Sequence, residues 1–448
     1  MLALTNALGE PRVQALVVFL IGYIYICVFR KYRPLALWAG VLLLLLLGVY
    51  RPNGGNALAS VTNLLRNINW NVLMILAGAM TVAEMFIESK VPVVLANFIV
   101  RHLKTVGGAA LGVCAMSSFL SAFIDNVTTV LIVAPVALVL ARRMKASPVP
   151  LIIGLAISSN LQGTATLIGD PPSLILANGL DLNFLDFFFY RGKPGIFWAV
   201  QVGGVGSMLA LWAFFFRKYK APATPPERVE PTSWVPTVLL VMMVLALSVA
   251  SFIPLPHSDK YLNGAICITA ALAGLLWQVC RTGRAGLRFV GAVDLGTVAL
   301  LAAIFALTFA LKHTGFISSM ADRISGFVGD NRLLTYTVIV WLSVVCSAII
   351  DNIPYTAVML PTVLQIATKM TGSAELGPTH ILFAFGLLIG ACLGGNISPV
   401  GASANIVGVG LLRKEGHDVG FWQFAKMGLP FTLAATLPGY LFVWLVWG

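Results

Sequence analysis

The sequence predicts an all-α polytopic membrane protein of about ten transmembrane helices plus two re-entrant hairpins, in two inverted-topology repeats. Three observations point there. Only 10% of the 448 residues are charged and 58% are hydrophobic, whereas a soluble domain covers its surface with about 25% charged residues. Apolar runs close to the roughly 20 residues that cross a bilayer recur along the chain. A short motif, Ala-Phe-Ile-Asp125-Asn126-Val-Thr-Thr, returns 226 residues later as Ala-Ile-Ile-Asp351-Asn352-Ile-Pro-Tyr-Thr.

Taken in order, spans are expected at Val13–Phe29, Leu35–Tyr50 and Asn71–Phe86, followed by an amphipathic interfacial piece at Val91–Leu103. Gly107–Phe123 and Val127–Ala141 are short arms split by Asp125-Asn126, and they read as a hairpin near 107–141. Pro150–Ile168 ends at Gly169-Asp170-Pro171-Pro172, and Gly195–Phe216 closes the first repeat, residues 1–216. Residues 217–233 are charged and proline-rich, as an exposed cytoplasmic linker should be.

The second repeat, 234–448, follows the same plan. Spans fall at Trp234–Ile253, Leu262–Cys280 and Val293–Leu311, with an amphipathic piece at Phe316–Val328. A hairpin near 333–368 is split by Asp351-Asn352, Ile381–Leu393 runs into a glycine-rich break, and Phe421–Trp447 is the last span. Gly163 to Gly169 and Gly395 to Gly401 also correspond, 232 residues apart.

The net charge of +12 lies in loops between spans, without the interleaved aromatics of a nucleic-acid surface, so nucleic acid is excluded as a partner. With both split segments drawn as re-entrant hairpins, the basic loops around Arg30-Lys31-Arg33, Lys90/Arg101/Lys104, Arg142-Arg143-Lys145, Arg217-Lys218-Lys220, Arg281/Arg284/Arg288 and Arg413-Lys414 all fall on the cytoplasmic side. Such a plan, with two halves of opposite sense, is common among secondary transporters. No cleavable signal peptide is expected, and the predicted location is the plasma (inner) membrane, multi-pass.

Non-helical backbone within a bilayer persists only where it lines a wet cavity or is buried by protein. Four breaks are expected: Asp125-Asn126, Gly163 to Pro172, Asp351-Asn352 and Gly394 to Asn405. Symmetry should bring them together near the midplane, where helix N-termini offer free N–H groups. Asp125 and Asp351 are the sharpest signals, because acids inside spans are costly; each is also a good helix cap, and the two roles are compatible. Asp170, before two prolines that suit a helix start, has no acidic counterpart, since Ala402 stands opposite. These three are the proton-coupling candidates, because a carboxyl held away from water can exchange a proton near neutrality. Asn126, Thr128, Asn160, Gly163, Thr164, Thr166, Gly169, Asn352, Gly395, Asn396, Ser398, Gly401, Ser403 and Asn405 complete the expected substrate and ion site. Hydroxyls and amides in spans equally often tie helices together.

Other features weigh less. Glu84 and Glu88 end the third span, and Asp294 and Lys312 flank its counterpart, where snorkelling suffices. Cys114, Cys346 and Cys392 lie near the breaks; soft thiolates could take arsenic or antimony, though buried cysteine is ordinarily a small hydrophobe. Disulfides, a resident metal, cofactors and a built-in ATPase or hydrolase are not expected.

Phe123-Ile-Asp125-Asn126-Val-Thr-Thr, Asn160-Leu-Gln-Gly163-Thr-Ala-Thr-Leu-Ile-Gly169-Asp170-Pro-Pro, Asp351-Asn352-Ile-Pro and Gly394-Gly395-Asn396-Ile-Ser-Pro-Val-Gly401-Ala-Ser403-Ala-Asn405 resemble the ion transporter superfamily, closest to the ArsB/NhaD permeases. The resemblance covers most of the chain. It implies inverted repeats, re-entrant hairpins, alternating access and a site at the hairpin tips and breaks. Two departures fall in that site: Ser173 where the family commonly has Asn, and Gln162-Gly163 where it has Gly-Gly.

The leading expectation is a secondary transporter, not an enzyme, that expels arsenite or antimonite as protons enter; a neutral trihydroxide suits a pocket of amides, hydroxyls and helix ends. Its partners would be a small inorganic solute, protons and the lipid bilayer. Alternatives are a Na⁺/H⁺ antiporter of the same fold, an anion symporter (although no Arg or Lys lies within the breaks), the membrane subunit of an ATP-driven pump with a soluble ATPase partner, and a channel. Leu42–Leu47 offers a homodimer contact, with lipid as the default neighbour.

Overall fold

Prolines, asparagines and aspartates punctuate the apolar runs, and the helices begin at them. The computed structural model describes residues 10–29, 32–51, 56–143, 147–222, 229–252, 261–291 and 293–448. Arg30, Lys31 and Lys145 of the expected basic loops and residues 223–228 of the linker lie outside the described residues. The helices are α1 Pro11–Val28, α2 Arg33–Leu46, α3 Ala57–Asn67, α4 Trp70–Glu88, α5 Val91–His102, α6 Val106–Ser121, α7 Asn126–Arg143, α8 Val149–Gly163 and α9 Pro171–Leu180. They continue as α10 Ile196–Leu211, extended by a π turn to Phe216, α11 Val235–Ala250, α12 Leu262–Thr282, α13 Leu295–His313 and α14 Phe316–Val328. Last come α15 Arg332–Ser347, α16 Asn352–Thr371, α17 Pro378–Gly394, α18 Ser403–Lys414 and α19 Phe421–Trp447.

Among the described residues, six helical stretches have the length and apolar composition to cross a membrane: Trp70–Glu88, Ile196–Phe216, Leu262–Thr282, Leu295–His313, Pro378–Ile397 and Phe421–Trp447. Two features were absent from the sequence reading. One is α3, capped by Asn56 accepting from the Ala59 N–H at 2.9 Å, a short polar-faced helix that no run of apolar residues announces. The other corrects the all-α expectation: β1 Phe189–Tyr190 pairs antiparallel with β2 Lys193–Pro194. Arg191 and Gly192, both at positive φ, make the two-residue turn that matches strand twist.

Helices α4 to α9 and α13 to α18 run through the same sequence of starts and stops. Asn69 caps α4 and Asp294 caps α13. The short helices α5 and α14 both begin from left-handed residues, Lys90 and Gly315. Thr105 caps α6 and Asn331 caps α15, 226 residues apart. Pro135 inside α7 and Pro361 inside α16 keep that spacing. The arms of each pair, α6 with α7 and α15 with α16, pack together and turn at Asp125 and Asp351.

The two halves exchange helices. From the first half, α2 lies on α13, where Trp38 Nε1 donates to the Ala299 carbonyl at 2.9 Å; just past its end, Tyr50 donates to Ala306 at 3.2 Å. From the second half, α12 lies on α4, where the Gly264 N–H donates to Asn71 Oδ1 at 2.8 Å and Gly78 leaves room for the Cys267 backbone. The centre is formed by α8 and α17. Every residue from Leu151 to Gly163 and from Thr379 to Gly394 is buried, as a helix apolar all round must be.

Candidate functional site

Both central helices stop in the interior. α8 ends at Gly163, the chain turns through 164–169, and Asp170 starts α9 by accepting from the Ser173 N–H at 3.0 Å, with Pro171-Pro172 in the first turn. α17 ends at Gly394, the chain passes through Gly395 to Gly401, and α18 starts at Ser403 after Ala402, with no side-chain cap. The glycines are required by close approach. A Cβ on Gly401 would lie 2.6 Å from the Gly395 carbonyl and 2.7 Å from the Ser347 carbonyl. A Cβ on Gly169 would lie 2.9 Å from both the Gly163 Cα and the Ser121 carbonyl. Each break is thus folded tightly against the end of the first arm of its hairpin.

Asn160 ties the two breaks together. Its Oδ1 accepts from Asn126 Nδ2 at 2.9 Å, and its Nδ2 donates to the Cys392 carbonyl at 2.9 Å and to Asn396 Oδ1 at 3.0 Å. One fully buried amide therefore links the first hairpin tip, α8 and the second break. The counterpart of Asn160 at 232 residues is Cys392. Its thiol lies beside Asn352, Thr164 and Asp170, donating to Asp170 Oδ2 at 3.5 Å. The buried Nδ2 of Asn396 and Oδ1 of Asn405 have no partner, so the pocket keeps hydrogen-bonding capacity that the protein itself does not use.

The remaining expected residues divide. Asp125 accepts from the Thr128 N–H at 2.9 Å, Asp351 from the Ile353 N–H at 3.1 Å, and both cap the returning hairpin arms α7 and α16. Asp125, Asp170 and Asp351 therefore each hold a helix N-terminus, and only α18, of the four starting at the breaks, lacks such an acid. Thr166 donates to the Ala122 carbonyl, Ser398 accepts from the Gly401 N–H at 3.0 Å, and Asn405 Nδ2 donates to the Gly395 and Ser398 carbonyls at 2.9 Å each. These three hold the turns in shape. Ser173 makes the equivalent long contacts to the Gly163 and Thr164 carbonyls at 3.4 Å.

Three features were not read from the sequence. Asp294 caps α13 and faces Asp125 electrostatically, where a snorkelling span-end residue had been expected. Glu88 pairs with Arg288. Arg33 lies 3.7 Å from Asp351 through its Nη1 and Oδ2 atoms, both side chains largely buried, so a base does reach the second hairpin tip even though none lies within the breaks. No sequence signal marks that contact, which joins residues far apart in the chain.

A cavity of about 620 Å³ is lined by Asn67, Asn69, Asn71 and Asn178 and also by Leu167 of the first break. Asn69 donates to Asn178 within it, joining α4 to α9. The cavity thus brings solvent-sized space up to the broken segment. Among the described residues, no group of three or more metal-ligating side chains occurs.

The citrate transporter family model (CitMHS) matches residues 23–388, which include both hairpins and the first break. An uncharacterized transporter of Mycobacterium tuberculosis is 30% identical over 388 residues, covering 84% of this chain and 86% of that protein. A 46 kDa membrane protein of Mycobacterium leprae is 29% identical over 448 residues, covering 97% and 98%. The crystal structure of the YdaH transporter of Alcanivorax borkumensis superposes with a TM-score of 0.62 over 92% of this chain and 98% of that one, at 13% identity, which is likeness of fold alone. Broken central helices, paired hairpins and this family match together make the chain a member of the citrate transporter family, a membrane transporter and not an enzyme.

Proposed function

We propose that the chain is a secondary active transporter that carries a small anion of the citrate class together with a cation through the pocket between the two breaks. The observation that carries this reading is the division of labour among the four helix starts. Three are held by carboxylates, Asp125, Asp170 and Asp351, and these suit a proton or Na⁺. The fourth, α18, has Ala402 in place of an acid, so its amide end suits anionic oxygen. The family's description supplies the solute class. In this reading the first repeat (1–216) and the second (234–448) are of opposite sense, with ten spans, two re-entrant hairpins and a cytoplasmic linker at 217–233, in the plasma (inner) membrane. Alternating access moves the pocket between the two sides.

Arsenite or antimonite efflux against proton entry is the second reading, favoured by the uncharged chain Asn126–Asn160–Asn396. The test is uptake by proteoliposomes holding the purified chain. Labelled citrate accumulating under an inward proton or Na⁺ gradient, and stopping when an ionophore collapses it, is the expected result. Arsenite movement without citrate movement would replace this reading with the second. Cation exchange with no solute would favour the Na⁺/H⁺ antiporter, and ATP dependence would favour the pump subunit.

A further inference from the structure

We propose that Arg33 is the counter-charge of the transported anion, withheld by Asp351 until a cation neutralises that carboxylate. This deepens the function proposed above and rests on it.

The Arg33–Asp351 pair is poorly made. At 3.7 Å it is an ion pair without a hydrogen bond. Side-chain exposure is 17% for Arg33 and 10% for Asp351, so little water compensates. The Arg33 Nε is buried and without a partner. A guanidinium is a planar fork of five donors matched to a carboxylate in two-point contact. Leaving its donors unmet in a buried position is costly, and a carboxylate ligand would meet them. Asp351 is poorly placed to do so, because its Oδ1 already accepts from the Ile353 N–H.

The other acids of the site do not compete. Asp125 accepts from Thr128, Asp170 from Ser173 and Asp294 from Thr297, each at the start of its own helix. Of the other titratable groups on the packed elements, Tyr355 donates to Ser343, Cys346 lies beside it and Cys392 donates to Asp170, while Lys369 pairs with Asp322 and His380 meets Thr368 towards the far end of α16. Among the described residues Arg33 is the one charged side chain within ion-pair distance of Asp351.

A charged Asp351 both repels an incoming anion and occupies its partner. Neutralising Asp351 with a proton or a metal cation removes both obstacles together. Anion and cation then favour each other's binding, which is reciprocal by linkage and is what a symporter requires. The residue supplying the anion's charge belongs to α2, clamped on α13, whereas the residue supplying the cation's belongs to a hairpin tip.

The test is equilibrium binding of labelled citrate to the purified full-length protein, with uptake measured alongside. Arg33→Gln should weaken citrate binding at least tenfold. Asp351→Asn should strengthen it about tenfold in the absence of coupling cation and abolish its dependence on that cation, while gradient-driven accumulation is lost. The double variant separates the proposal from a purely structural pairing. If Arg33 merely neutralises Asp351, removing both restores binding, and the proposal falls. If Arg33 holds the anion, the double variant stays as weak as Arg33→Gln. Citrate binding by Arg33→Gln equal to that of the unaltered protein also overturns it. Should the unaltered protein neither bind nor move citrate under either gradient, the function proposed above fails, and this inference with it.

Discussion

The two breaks share a backbone and differ in chemistry. Both fold a pair of glycines, Gly163 with Gly169 and Gly395 with Gly401, against each other, and the second of each pair against the carbonyl that ends a hairpin arm, Gly169 at Ser121 and Gly401 at Ser347. At corresponding places, however, the first carries Asn160, Asp170 and Ser173, and the second Cys392, Ala402 and Asn405. The backbone contacts recur because a chain turning inside apolar surroundings must bury its polar groups against itself. The side chains diverge because one break holds charge and the other leaves an amide end open. On the proposed function, the correspondence is kept where geometry demands it and lost where two unlike ions would be told apart.

Substitutions that violate the shared geometry should be the most damaging. Gly401→Leu and Gly169→Leu each drive a side chain into backbone, a loss beyond ~4 kcal/mol by analogy with the severest core changes. Little monodisperse protein should survive size-exclusion chromatography of either. Comparable yields from one of them would mean that its break is looser than its counterpart.

Asn160→Ala should cost about 3 kcal/mol, since Asn126, Asn396 and the Cys392 carbonyl would lose a buried partner. Thermal unfolding in detergent measures it. Cys392→Ser, at the equivalent place, should shift the midpoint far less. Similar shifts would show that the amide is no more central than the thiol.

Asp170→Ala removes a cap worth ~1–2 kcal/mol and, if Asp170 carries the cation, should also weaken cation-driven uptake severalfold. The reverse change, Ala402→Asp, puts an acid at the open helix end and should weaken citrate binding about tenfold while leaving the fold intact. Unchanged binding by Ala402→Asp would count against an anion at α18. The mildest contrast is thiol reactivity. Cys280 is exposed and should react readily with a maleimide, whereas Cys114, Cys267 and Cys392 are buried and should react on the order of a hundredfold more slowly.

Much of this was legible in the sequence. The amphipathic piece Phe316–Val328 and the span Phe421–Trp447 match helices to the residue, because polar residues inside long apolar runs leave few choices for a helix start. Asp125, Asp170 and Asp351 stood out for the same reason. What was not legible depends on distant pairing. Asn160 looked like one amide among several until its three partners came from three segments. Arg33 looked like one basic loop residue among many, and Asp294 like a span-end charge. α3 and the β1–β2 hairpin lie outside the apolar pattern that organised the reading.

The exchange of α2 and α12 between halves bears on biosynthesis. When the ribosome has delivered residues 1–216, α4 still lacks the wall that α12 will give it, and α2 has no α13 to rest on. The leading half must therefore wait in the bilayer, partly assembled, for the trailing half to arrive. Cutting the gene at the linker should yield two fragments that are degraded when made separately and rescued when made together, as two interlocked pieces of one object would be.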